Sequence, residues 1–186
     1  MRIISGALKG RELKTSVGPG YRPAMSKVRA SIFSMLEARG VSWPGTRVLD
    51  LFAGSGSLGF EALSRGAAFA CFVELDKKAA NVLRDNAQRF NLDAGRYCIR
   101  QQEVRVFLAS QVVEPFDVIF VDPPYRGNFL SASITAVIRK KWLREGGILN
   151  AEVENTIDLD PETAFPPLEC IADREYGQTR VVLWTF

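Results

Sequence analysis

Short apolar runs alternate with longer amphipathic stretches along most of this chain. The runs at residues 47–52, 67–74, 96–101, 116–121 and 148–153 read as strands, several of them apolar enough to be buried on both faces. Between them, residues 58–65, 77–91, 104–110 and 129–141 read as helices. In the second of these, Ala80, Leu83, Ala87 and Phe90 fall on one face, and Asp76 is placed to cap its start. An earlier helix is predicted after Ser26, its expected N-cap, with Val28, Ile32, Met35 and Leu36 on the inner face. Residues 2–5 and 11–14, separated by glycines, predict a small hairpin arm outside the main sheet. Residues 15–23 read as loop, with Arg22 extended because it precedes Pro23. Gly146-Gly147 predicts a turn into the strand at 148–153. Residues 170–174 and 179–185 predict a closing hairpin around Tyr176-Gly177.

Strands alternating with helices imply an α/β fold whose sheet is mostly parallel, seven-stranded, with a C-terminal antiparallel hairpin and the small N-terminal β-hairpin arm. The length fits one compact domain. Within it, residues 1–40 form a basic arm and helix, and residues 41–186 the main body.

Composition narrows the chemistry. The chain has no histidine, so the commonest general base and metal ligand are missing. Cys71, Cys98 and Cys170 are far apart in sequence and odd in number, which predicts neither a disulfide framework nor a metal site. No run approaches the roughly 18 apolar residues of a membrane span, and the first residues lack the pattern of a signal peptide. A cytoplasmic monomer is the expectation. The net charge is +3 but unevenly placed. Arg2, Lys9, Arg11, Lys14, Arg22, Lys27, Arg29 and Arg39 crowd the first 40 residues against Glu12 and Glu37, which points to a polyanionic partner. Lys27 and Arg29 near a helix start oppose its dipole, and phosphate contact would give them a purpose.

The candidate site begins at VLDLFAGSGSLG, residues 48–59. A strand, a glycine turn and a helix start form a cradle for a ligand with anionic or polar groups. The pattern G-x-G-x-x-G (Gly54, Gly56, Gly59) alone fits a nicotinamide enzyme equally well. Two features favour S-adenosylmethionine and methyl transfer. Asp50 lies inside the strand, where a carboxylate meets an amino group. Asp122-Pro123-Pro124-Tyr125 closes the fourth strand. The expected cofactor contacts are Asp50 toward the ammonium, and Phe52, Ala53, Gly54, Ser55 and Gly56 around the amino-acid end. Glu74 with Leu75 would meet the ribose, Glu103 and Val104 the adenine, and Asp122 the reacting end. An exocyclic base amine is a weak nucleophile because its lone pair is delocalised. Asp122 and the Pro123 carbonyl can accept its two N–H groups and turn the lone pair toward the methyl group. Pro124 stiffens that loop, and Tyr125 offers a ring on which the base stacks.

These stretches resemble the RsmD family, bacterial enzymes that methylate the N2 amine of a guanine in 16S ribosomal RNA of the small subunit. The likeness runs through RIISGALKGREL, RPAMSKVRASIF, DLFAGSGSLGFEALSRGA, FVELD and VIFVDPPY. Ala24, Ser26, Ala30 and Glu103 depart from what the family often has there. The resemblance implies a Rossmann-like class I S-adenosylmethionine-dependent methyltransferase with rRNA as partner, guanine 966 as target, and Arg2, Lys9, Arg11, Arg22, Lys27 and Arg29 on phosphates. Three other readings stay open: a DNA adenine or cytosine amino-methyltransferase, a nicotinamide oxidoreductase, and a noncatalytic RNA-binding assembly factor.

Overall fold

The computed structural model describes residues 1–15, 23–124 and 128–186, with the backbone alone for residues 23–25. Arg22 and Tyr125, both expected site residues, lie outside the described residues.

The elements run α1 (Pro23–Ala38), β1 (Arg47–Leu51), α2 (Ser57–Arg65), β2 (Phe69–Glu74), α3 (Lys77–Arg89) and β3 (Tyr97–Gln101). They continue with α4 (Val104–Ala109), β4 (Phe116–Val121), α5 (Phe129–Lys140), β5 (Leu143–Glu154), β6 (Glu169–Tyr176) and β7 (Thr179–Thr185). The sheet has seven strands in the order β3-β2-β1-β4-β5-β7-β6. β1 to β5 pair in parallel, and β7 inserts antiparallel between β5 and β6. The order reverses between β1 and β4, which opens a crevice beyond their carboxyl ends.

Each face of the sheet is covered by its own apolar cluster. Phe33 of α1, Phe60 of α2 and Leu83 of α3 pack with Val48, Phe72 and Phe120 on one face. Leu108 of α4 and Ile134 of α5 pack with Leu49, Ile119 and Trp184 on the other. Burial on both faces explains why the central strands are apolar at nearly every position.

The arm belongs to the first cluster through Ile3 and Leu13. It closes on itself by an Arg2–Glu12 antiparallel bridge and a Leu13 N–H bond to the Met1 carbonyl (2.8 Å). It is fastened to α2 by Glu61, which is fully buried and accepts the N–H groups of Ile4 (2.7 Å) and Ser5 (3.0 Å). Arg65 (3.0 Å) and the buried Arg29 (4.0 Å) balance that charge. Ser64 adds its carbonyl to Ala7 N–H and its hydroxyl to Leu8 N–H.

Two expectations are corrected. Helix α1 begins at Pro23 and not after Ser26; proline suits the first helical turn, where its missing N–H costs no hydrogen bond. Gly146-Gly147 is not a turn before β5 but lies within it. Phe116 pairs with Leu143 and Val118 with Ile148, so the residues between bulge out, glycines included. Cys71 and Cys98, distant in sequence, face each other across β2 and β3 with sulfurs 3.0 Å apart as free thiols.

Candidate active site

β1 ends at Leu51, and Phe52 turns the chain with a left-handed φ of 61°. Gly56 then caps α2 at φ 76°, a conformation that suits glycine. Gly59, in the first turn of α2, has no room for a side chain: a Cβ would sit 2.3 Å from Phe72 Cε1. It lets α2 lie close on the sheet.

The loop is laced to the neighbouring strand. Glu74, closing β2, accepts the N–H groups of Gly54 and Asp76, each at 2.7 Å. Asp76 in turn caps α3 by accepting the Ala79 N–H at 2.8 Å. Gly56 N–H goes to the Ala53 carbonyl (2.7 Å) within the loop, and Gly54 N–H to Glu74 across from it. Asp50 sits behind the loop, 2 % exposed, with Oδ2 accepting the Gly59 N–H at 2.9 Å.

In front of the loop is a cavity of about 820 Å³, a size that suits a cofactor. It brings together Phe52, Glu74, Leu75, Glu103, Val104, Asp122, Pro123 and Pro124 from the expected set. Ala53, Gly54, Ser55 and Gly56 form the loop behind this wall. Asp76, Lys77, Arg105 and Phe129 line it too, and sequence reasoning did not single them out as site residues. Phe129 meets Phe52 edge-on at 6.0 Å between ring centroids, and the Arg105 guanidinium lies 5.5 Å from the Phe129 ring. Phe129 is the first residue of α5, which was its one available signal. Glu103 stands at the N-cap of α4 without a capping bond and pairs with Arg105 at 3.0 Å. Leu75 is 65 % exposed, an apolar side chain at the mouth of the cavity.

Asp122 of the cavity wall and two carboxyls on neighbouring strands, Asp50 of β1 and Glu152 of β5, are held above the usual carboxylate range. Asp50 is pushed up to about 8, first by burial and then by the charges of Asp122 and Glu74, against the Gly59 hydrogen bond that lowers it. Burial raises Asp122 to about 6, although its side chain keeps contact with the crevice solvent. Glu152 of β5 is raised to about 8 by burial and then by Asp122 and Asp50, with Arg29 opposing. Among the described residues no group of histidine, cysteine or carboxylates is arranged to hold a metal ion.

The basic residues expected on phosphates divide. Arg2, Lys9, Arg11 and Lys27 are exposed. Arg11 also donates to the Arg89 carbonyl and lies 5.2 Å over the Phe90 ring. Arg29 is turned inward: it is 4 % exposed, donates to the Arg2 carbonyl and faces Glu61. Its place is in fastening the arm, which corrects its expected role at the surface.

The strand order, the glycine loop and the acids at the ends of β1, β2 and β4 define a Rossmann-like methyltransferase fold. Residues 1–185 match the family model described as "Conserved hypothetical protein 95", and the chain belongs to that family, the RsmD family. It is 40% identical to "Putative rRNA methyltransferase YlbH" of Bacillus subtilis over 185 residues, covering 99% of this chain and 98% of that one. It is 37% identical to "Ribosomal RNA small subunit methyltransferase D" of Escherichia coli over 163 residues, 87% of this chain and 79% of the relative. Among solved structures it superposes on "Putative methyltransferase yhhF" of Escherichia coli with a TM-score of 0.83 and 32% identity, covering 99% and 96% of the two chains.

Proposed function

We propose that this protein transfers a methyl group from S-adenosylmethionine to the exocyclic N2 amine of a guanine in 16S ribosomal RNA, in the small subunit or its assembly intermediate. The observation that carries the reading is the joining of Asp122-Pro123 to Glu74 and Glu103 in one cavity. One end offers acceptors for a base amine and the other acceptors for a nucleoside. The names of the relatives support ribosomal RNA as substrate, and the exposed basic arm suits it. The N2 position follows the family resemblance.

The residues present fit the cofactor. Glu74 is held by two N–H groups, each on a different oxygen, which leaves lone pairs for ribose hydroxyls. Leu75 supplies an apolar wall for adenine, and Glu103 can leave Arg105 for the adenine amine. Asp50, buried and with one oxygen on Gly59, balances the ammonium at short range. S-adenosylmethionine, when bound, supplies an electrophilic methyl on a sulfonium.

Asp122 and the Pro123 carbonyl then accept the two N–H groups of the target amine and aim its lone pair. With the methyl–sulfur bond exchanged for an N–C bond and a neutral thioether left behind, the amine would be cationic, and Asp122 is placed to take its proton. A pKa of about 6 leaves the carboxylate ionised at neutral pH yet basic enough for that transfer. The base must be unpaired or flipped to enter, and phosphate contacts by the arm make binding fall steeply with salt.

The test is methyl transfer from labelled S-adenosylmethionine to small subunits from cells lacking the protein, to naked ribosomal RNA and to DNA, followed by nucleoside analysis. The expected product is N2-methylguanosine in the subunit RNA. Methyladenine or methylcytosine in DNA would overturn the substrate and keep the chemistry.

A further inference from the structure

We infer that Glu152 determines base specificity: it is the acceptor for the ring N1–H of guanine, beside Asp122 and Pro123 on the exocyclic amine. The inference rests on the proposed amine methylation and adds how the base is chosen.

The sheet register places the residue. Val121 of β4 pairs with Ala151 of β5, so Asp122 and Glu152 follow side by side on neighbouring parallel strands. Such strands lie about 4.8 Å apart. Side chains alternate across a sheet, so Asp122 and Glu152 share the face that carries Asp50, Phe120 and Asn150. The two carboxyls are close enough to raise the proton affinity of Glu152 through charge. Among the described residues the Glu152 carboxylate takes no hydrogen bond, and it is only partly buried, one strand over from Asp122 of the cavity wall.

A second observation marks the same place. Asn150 lies one pleat below Glu152 on that face, is fully buried, and has neither its amide nitrogen nor its amide oxygen hydrogen-bonded. Buried polar groups are nearly always paired, so an orphaned amide points to a missing guest, an ordered water or a ligand edge. The carboxyls and the orphaned amide therefore occupy neighbouring positions on one sheet face, next to Asp122 at the methyl-transfer position.

The chemistry of the bases decides what this face accepts. Guanine carries two adjacent donors on one edge, N1–H and the N2 amine. Adenine and cytosine place an unprotonated ring nitrogen beside their amine, and that lone pair faces a carboxylate unfavourably. Two neighbouring carboxyls therefore match guanine and reject the other two amines. An N1–H donor set against the carboxyl favours its ionised form, which accepts and cannot donate to an unprotonated ring nitrogen.

The experiment uses small subunits reconstituted with RNA carrying either guanine or 2-aminopurine at the methylated position. 2-Aminopurine keeps the exocyclic amine and lacks N1–H and O6. For the wild-type protein, kcat/KM should favour guanine. In Glu152→Ala that preference should shrink by roughly 10–100-fold. Glu152→Gln, which keeps an acceptor oxygen, should restore most of it. Folding is checked by S-adenosylmethionine binding, and if the alanine variant does not fold Glu152→Met, of similar volume and without an acceptor oxygen, carries the test: its preference for guanine should shrink in the same way, and an unchanged preference would overturn the inference. Equal losses on both bases, or an unchanged preference in Glu152→Ala, would sink the role of Glu152 while leaving methylation intact. Absence of transfer to guanine by the wild type would instead remove the proposed function itself, and the inference with it.

Discussion

The two halves of the crevice treat carboxylates in opposite ways. On the β2 side, Glu74 is met by two backbone N–H groups and Asp76 by a third. On the side of β1, β4 and β5, Asp50, Asp122 and Glu152 crowd together, with one N–H on Asp50 and the charge of Arg29 reaching Glu152. The first half is a finished scaffold whose hydrogen bonds exist before any ligand arrives. The second is crowded with acids and short of donors. Its balance improves when a sulfonium, an ammonium or a base amine enters. Binding groups can be built into the resting fold, whereas reacting groups are poised by being left incomplete.

The sharpest way to break this contrast is at Asp122. Asp122→Ala should lower methyl transfer by roughly 10²–10⁴-fold while S-adenosylmethionine still binds, as measured by single-turnover transfer and calorimetry. Wild-type kcat/KM should fall with one proton as pH drops through about 6, because the protonated carboxyl can no longer accept the amine proton. A flat profile from pH 5 to 8 would remove Asp122 as proton acceptor. A smaller effect is expected on the scaffold side. Glu74→Ala removes both a ribose acceptor and the partner of Gly54 and Asp76, and should weaken cofactor binding by roughly 10–100-fold. Transfer at saturating cofactor should change much less, and a loss confined to kcat would contradict the division.

The smallest expected effect is on stability, at Asp50. Its folded pKa of about 8 exceeds the ordinary 3.8, so the folded protein holds the proton more tightly. Ionisation therefore destabilises the fold progressively as pH rises from about 4 to 8, and the full penalty stands above 8. Asp50→Asn keeps an oxygen for the Gly59 N–H and escapes that penalty. It should raise Tm at pH 8 by a few degrees, roughly, with little change at pH 4, and should weaken cofactor binding. A lower Tm for the variant at pH 8 would show that the charge is compensated.

The scaffold half was largely legible in the sequence. Asp76 as a cap, Gly54 to Gly59 as a loop and Glu74 at a strand end all carry local signals, because turn and cap chemistry is written within a few residues. Glu152 was not legible. It sits in an acidic C-terminal stretch, in a strand whose apolar residues alternate with no visible sign of which face meets Asp122. Only the β4–β5 register decides that. Arg29 misled for the same reason: a cation near a helix start looks exposed until Glu61, distant in sequence, is seen against it. The bulge at Gly146-Gly147 shows the limit for turns, since paired glycines fit a turn or an irregular strand equally well.

The fastening of the arm has a consequence for the order in which the molecule is assembled. Glu61 and Ser64 lie 56 or 57 positions beyond the backbone groups they hold. During synthesis, residues 1–13 emerge well before those partners exist, and they must wait as loose, positively charged chain until α2 has formed. A segment made early thus docks late, and its docking reports that the loop around Gly54 to Gly59, which runs directly into α2, is already in place.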